Sequence, residues 1–105
     1  MTLLNITERI TATGCVLEVA GDLDHARAGA LRQRVESLTL LAGQRLVIDL
    51  TGLTFCDSSG ITAFLAARQQ AMAAGADIVL SGVPDNTLRV LTLVGLDQVF
   101  TINPA

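Results

Sequence analysis

The chain has 105 residues, half of them hydrophobic and 16% charged, which suits one domain, expected to span 1–105, with a packed core. Its net charge is −3, its seven cations are scattered, and it has no Trp or Tyr. This argues against a nucleic-acid surface, which needs clustered Lys and Arg and gains from stacking aromatics. The first strand is expected where Leu4, Ile6 and Ile10 alternate with Asn5, Thr7 and Arg9. Gly14 ends it, and "CVLEVAG" alternates Cys15, Leu17 and Val19 against Val16, Glu18 and Ala20 as a second strand. The short connection predicts an antiparallel hairpin.

Asp24 can N-cap the next segment, where Leu31, Val35 and Leu38 recur at helical spacing until the chain nears Gly43. "RLVIDL" is a continuous apolar run, as expected of a strand buried on both faces of a partly parallel sheet. After "FCDSSG", Ile61, Leu65 and Met72 mark one stripe of a second helix, with Phe64 beside it. Its many alanines favour helix and permit close packing. Gly75 suits the C′ position. "ADIVLSG" reads as another buried strand. Pro84 suits N1 of a third helix closed by Gly95, with Asp85 and Asn86 in the first turn. Leu88, Leu91, Leu93 and Val94 make that helix more apolar than one buried face needs; core packing is the plainer use of them, and a dimer or partner surface is the alternative. "QVFTI" reads as a final strand or extended tail. The expected order is β-β-α-β-α-β-α-β, an α/β fold with a mixed, mostly parallel sheet, right-handed crossovers and helices mainly on one face.

The N-terminal MTLLNITERI lacks the basic and long apolar regions of a signal peptide, and Arg68, Gln69 and Gln70 interrupt the most apolar helix. No secretory or membrane-spanning segment is therefore expected. Cys15 and Cys56 sit in apolar, strand-like settings, as expected of buried reduced thiols in a cytoplasmic protein, although their spacing alone leaves a disulfide open.

"FCDSSG" sits where an apolar strand gives way to an alanine-rich helix. One reading of Asp57, Ser58 and Ser59 is a plain helix cap. The other is a modification site. A phosphate at a helix N-terminus meets orphan N–H groups and the positive end of the dipole. Gly60 would allow close approach of a partner or a nucleotide. The dipole would favour the phosphate by about 0.3–1 kcal/mol. Asp57 at ~6 Å would oppose it by about 3 kcal/mol per unit charge at an effective dielectric of ~20. A partner covering the site would have to bury the new charge beside a carboxylate, and about 3 kcal/mol there is roughly a hundredfold in affinity.

"GDLD", residues 21 to 24, reads as a turn with a helix cap. If the second and third strands are neighbours, Asp22 or Asp24 would approach Asp57 and form an acidic corner for a cationic partner. A thiol hydrolase built from His25, Cys56 and Asp57 is disfavoured, because no cation near Cys56 would lower its pKa. One His and two distant Cys do not make a metal site, and phosphate-binding glycine motifs are absent.

With "GDLD", "LVIDLTGLTFCDSSGI" and "VGLDQVF" in place, nearly the whole chain resembles the bacterial anti-sigma factor antagonists, which are stand-alone STAS domains. The stretch from Leu46 to Ile61 is the most specific part. Cys56 stands where the family usually has an aliphatic residue or Met, and Ile61 where Leu is common. The resemblance implies a non-enzymatic binding protein, without a cofactor of its own, for an anti-sigma factor with serine kinase activity. That kinase would supply the ATP, and binding would release a sigma factor. It also implies phosphorylation at Ser58, with Ser59 the other acceptor, and a serine phosphatase that restores binding. Gly21, Asp22, Asp24, Asp57, Ser58, Ser59 and Gly60 would lie on the partner-facing side. The alternative is a constitutive scaffold in a larger signalling or transport assembly, in which the serines only cap.

Overall fold

The computed structural model describes residues 3–104; Met1, Thr2 and Ala105, which the expected domain span includes, lie outside the described residues. The chain forms β1 (Asn5–Thr11), β2 (Gly14–Leu23), α1 (Ala28–Glu36), β3 (Arg45–Asp49), β4 (Leu53–Cys56), α2 (Ser58–Ala73), β5 (Asp77–Val83), α3 (Asp85–Leu93), a short 3-10 turn (Leu96–Gln98) and β6 (Thr101–Pro104). β1 and β2 form the expected antiparallel hairpin, with Ile6 opposite Val19 and Ile10 opposite Cys15. The other pairings are parallel, and the sheet order is β1-β2-β3-β5-β6.

β4 is the element that the sequence pattern hides. The chain leaves β3 at Asp49 and turns through Leu50–Gly52, where Asp49 Oδ1 accepts from the Thr51 N–H at 3.0 Å and its hydroxyl at 2.6 Å. It then resumes beside β2 as a parallel partner, with Asp22 opposite Phe55 and Leu23 opposite Cys56. β2 therefore pairs with β3 along Gly14–Glu18 and with β4 from Gly21 onward, and its register shifts at Gly21/Asp22. Gly21 sits at φ +100°, where a Cβ would fall 2.1 Å from the Leu3 carbonyl oxygen, so only glycine fits this bend.

One core joins the sheet to the helices. Leu17, Val19, Leu46, Ile48 and Leu80 from the strands meet Leu31 and Val35 of α1, Phe64 and three alanines of α2, and Leu91 of α3. Val16, Val47 and Val79 align on the opposite face, outside this cluster.

Several sequence expectations shift. On α2 the buried face is Ala63, Phe64, Ala67 and Ala71, whereas Leu65 and Met72 point outward. Small side chains let α2 lie close to α1 and β5, so alanine rather than the larger residues fills the contact. α1 stops at Glu36 instead of running toward Gly43, because the Ser37 hydroxyl donates to the Arg34 carbonyl at 2.7 Å and closes the last turn. Leu38 still reaches the core, from the loop. Ile10 is exposed on β1 beside that loop, which does not cover it. Pro84 is the N-cap of α3 rather than its first residue. Leu93 and Val94 lie on the surface, not in the core.

Phe64 is fully buried where α2 meets the sheet, so Phe64→Ala should cost about 3–5 kcal/mol of stability. Urea denaturation should show this as a lower midpoint with little change in slope.

Candidate functional site

The site is built where the carboxyl ends of β2 and β4 come together. The Asp57 N–H donates to the Leu23 carbonyl at 3.4 Å, so the chain enters α2 alongside the end of β2. Gly60 completes this junction from below. It is buried, and a Cβ there would lie 2.6 Å from Cys56 Sγ and 2.9 Å from Leu23 Cδ2. The missing side chain is thus used by the helix-to-strand contact. Gly21 is buried in the same way. The two glycines shape the surface from beneath it.

The cap belongs to Asp57. Its backbone is extended, and Oδ1 accepts from the Ser59 N–H at 2.9 Å and from the Gly60 N–H at 3.4 Å. This is the N-cap geometry that satisfies orphan donors of the first turn. Two of the N–H groups expected to meet a phosphate are therefore already occupied. Ser58 is the first residue of α2 and is exposed, and its hydroxyl makes no hydrogen bond among the described residues. Its carbonyl accepts from the Thr62 hydroxyl at 3.0 Å. Ser59 is half-buried, and its Oγ lies 3.3 Å from His25 Nδ1. The two hydroxyls thus differ: one faces solvent, and the other is engaged by a residue from the far side of the corner.

The "GDLD" segment does meet Asp57, but through β4 rather than through β3. The Asp22 carboxylate accepts from the Thr54 hydroxyl at 2.8 Å across the β2–β4 pair. Asp24 caps the turn that leads into α1 rather than the helix itself: its Oδ1 accepts from the Arg27 N–H at 3.1 Å, its carbonyl accepts from the N–H groups of Arg27 and Ala28, and its carboxylate is also ion-paired with the Arg27 guanidinium at 2.6 Å. The N-cap of α1 is Arg27, without a side-chain cap. The short turn from Asp24 to Arg27 delays the helix and brings a guanidinium into the corner. The corner is consequently mixed in sign rather than purely acidic.

Two residues at the site were not identified from the sequence. Phe55 is 50% exposed on β4, opposite Asp22, and presents an aromatic face beside the carboxylates. Exposed aromatics of this kind are enriched in protein interfaces. Its signal was weak, because Thr54 and Phe55 are exposed in succession and break the alternation of a half-buried strand. His25 was considered only with Cys56, but its hydrogen bond goes to Ser59.

Cys56 is poorly suited to nucleophilic chemistry. Burial, and then the neighbouring Asp57 carboxylate, push its thiol up to about 12. Cys15 is raised in the same direction, chiefly by burial. No helix among the described residues is long and apolar enough to cross a membrane.

Comparison with known proteins places this geometry. The sequence model of the family described as "Mlab, STAS domain" matches residues 6–102. An anti-sigma-B factor antagonist of Listeria monocytogenes is 30% identical over 84 residues, which is 80% of this chain and 74% of that one. The crystal structure of an anti-sigma factor antagonist from Mycobacterium paratuberculosis superposes with a TM-score of 0.80 at 27% identity, covering 98% of this chain and 87% of that one. A solved structure of the anti-sigma factor antagonist SpoIIAA in its unphosphorylated form has the same fold. Its TM-score is 0.69 at 20% identity, over 98% of this chain and 89% of that one.

Asp57→Ala should cost about 0.5–2 kcal/mol through loss of the cap, and Ser58→Ala should cost less, because Ser58 caps nothing; paired thermal melts compare the two. The alkaline limb of stability provides a second check. The chain has no Lys and no Tyr, so few groups other than the two thiols titrate between roughly pH 9 and 12. A thiol raised in the folded state keeps its proton there while the unfolded chain loses it, so stability is full below about pH 8.5 and falls as pH rises toward the folded value. Cys56→Ala should flatten that fall, as read by denaturant midpoints across the range. Thiolate absorbance should show Cys56 still protonated at pH 9.

Proposed function

This chain belongs to the STAS domain family, and we propose that within it the protein is an anti-sigma factor antagonist switched by phosphorylation of Ser58. In this reading it binds an anti-sigma factor that is also a serine kinase, and so frees a sigma factor for transcription. The kinase phosphorylates Ser58 and thereby ends the binding, and a serine phosphatase reverses it. The protein itself is a binding module rather than an enzyme, and it works in the cytoplasm.

The observation that carries this reading is the separation of two roles that adjacent residues could have shared. Asp57 makes the cap, leaving the Ser58 hydroxyl exposed at the first position of α2 and without a hydrogen-bond partner among the described residues. A kinase can reach that hydroxyl without unfolding the helix. Ser59, held by His25, is the less available acceptor. The surface around Ser58 supplies both an apolar anchor in Phe55 and polar groups in Asp22, Asp24, Arg27 and His25. Such a mixture of an exposed apolar anchor and a polar rim suits a reversible protein contact.

The magnitude of the switch follows from electrostatics. The first-turn N–H groups of Ser59 and Gly60 are already held by Asp57, so a phosphate on Ser58 would point outward beside a carboxylate. Covering a group of about −1.5 to −2 charge there costs a partner on the order of 3 kcal/mol. That is roughly a hundredfold in affinity.

The test is binding of the cognate anti-sigma kinase to purified wild type, Ser58→Ala and Ser58→Asp. Ser58→Ala should bind as wild type does, and Ser58→Asp should bind about tenfold to a hundredfold more weakly. Phe55→Ala should also weaken binding while leaving the fold intact. Equal binding by wild type and both Ser58 variants would favour the constitutive scaffold instead.

A further inference from the structure

The outer face of α3 is unexplained by the core and by the switch site. Thr87 and Leu91 are buried, but Val90, Leu93 and Val94 on the other side are 41%, 79% and 59% exposed. Val99, after the 3-10 turn, extends this apolar surface toward a groove of about 660 Å³ that it lines with Met72. Isolated exposed apolar residues are ordinary, but three within five positions on one helix end form a patch of the kind that marks an interaction surface.

The patch is also remote from Ser58. β5 passes into α3 through the single residue Pro84, so α3 runs back along the sheet and ends at the amino-terminal edge of the parallel strands. α2 begins at their carboxyl edge, after β4. A partner seated on Leu93 and Val94 would leave Ser58 open.

We propose that this face docks a second copy of the chain, with the two α3 helices antiparallel about a two-fold axis. The charges on the face favour that occupant. Arg89 lies on the amino-terminal side of Leu93, and Asp97 lies beyond its carboxyl-terminal side, in the 3-10 turn. Arg89 makes no ion pair or hydrogen bond among the described residues. Among the described residues the Asp97 carboxylate meets only the Gln98 side chain, at 3.4 Å. In an antiparallel pairing centred near Leu93, each Arg89 faces the Asp97 of the other copy. One contact then forms twice, as an isologous interface requires. The apolar centre would be Val90, Leu93 and Val94 of both copies, with the two ion pairs at its rim. Antiparallel alignment also sets the two helix dipoles head to tail. A contact made by one helix face is at the low end of interface sizes, so the dissociation constant should be on the order of micromolar or weaker.

Sedimentation velocity of the full chain, from about 5 to about 500 µM, spans that range. Wild type should shift from monomer to dimer, and Leu93→Asp should stay monomeric while melting as wild type does. Arg89→Glu and Asp97→Arg should each weaken the dimer about tenfold or more, and the two together should restore it. A wild type that stays monomeric throughout would overturn the proposal. So would dimerisation that survives Leu93→Asp, or a double charge reversal no better than the single ones. None of these outcomes depends on Ser58, so the switch and the dimer stand or fall separately.

Discussion

The seating of α2 against the end of β2 is the constraint from which the rest of the site follows. Gly60 can lie against Leu23 and Cys56 only because it has no side chain. That contact, with the Asp57 N–H bonded to the Leu23 carbonyl, fixes where the helix starts and which way its first residues point. Were Gly60 replaced by a larger residue, the Cys56 and Leu23 side chains or α2 itself would have to shift. The contact thus ties the "GDLD" and "DSSG" segments, far apart in sequence, to one surface.

Capping by Asp57 has a consequence for any chemistry at Ser58. A free helix N-terminus welcomes an anion through its unpaired N–H groups and its dipole. Here a carboxylate already occupies the Ser59 and Gly60 donors. The dipole remains, but a phosphate would find a carboxylate where it would otherwise find hydrogen bonds. In the proposed switch the phosphoryl group therefore stays on the surface, where an approaching partner must contend with its charge. Cys56, half-buried beside Asp57 with its thiol pushed up to about 12, adds no charge to that side of the junction.

The hairpin, the buried strands and the helix that starts after "FCDSSG" are legible in the sequence because alternation, apolar runs and glycine positions all agree there. The sidedness of α2 is not. Hydrophobicity favours Ile61, Leu65 and Met72; Ile61 does pack against the core, but Leu65 and Met72 face outward, and helix-on-sheet packing at short distance selects Phe64 with Ala63, Ala67 and Ala71 instead. β4 escapes because it has only four residues and exposes Thr54 and Phe55 in succession. Its pairing with β2, not a β2–β3 adjacency, brings Asp22 and Asp57 to one edge. Asp24 is legible as a cap by residue type, and its Oδ1 does accept from the Arg27 N–H. What residue type does not show is that the helix begins only at Ala28 and that the same carboxylate pairs with the Arg27 guanidinium. The Asp-Ser-Ser-Gly motif itself is plain in sequence, but which residue caps and which hydroxyl is exposed depends on backbone geometry that residue types do not specify.

Intact-mass measurement of the protein after incubation with its cognate anti-sigma kinase and ATP tests the central claim most directly. Wild type and Ser59→Ala should each gain the mass of one phosphate, and Ser58→Ala should gain none. A phosphate gained by Ser58→Ala and lost by Ser59→Ala would contradict the assignment of the exposed first residue of α2 as the acceptor.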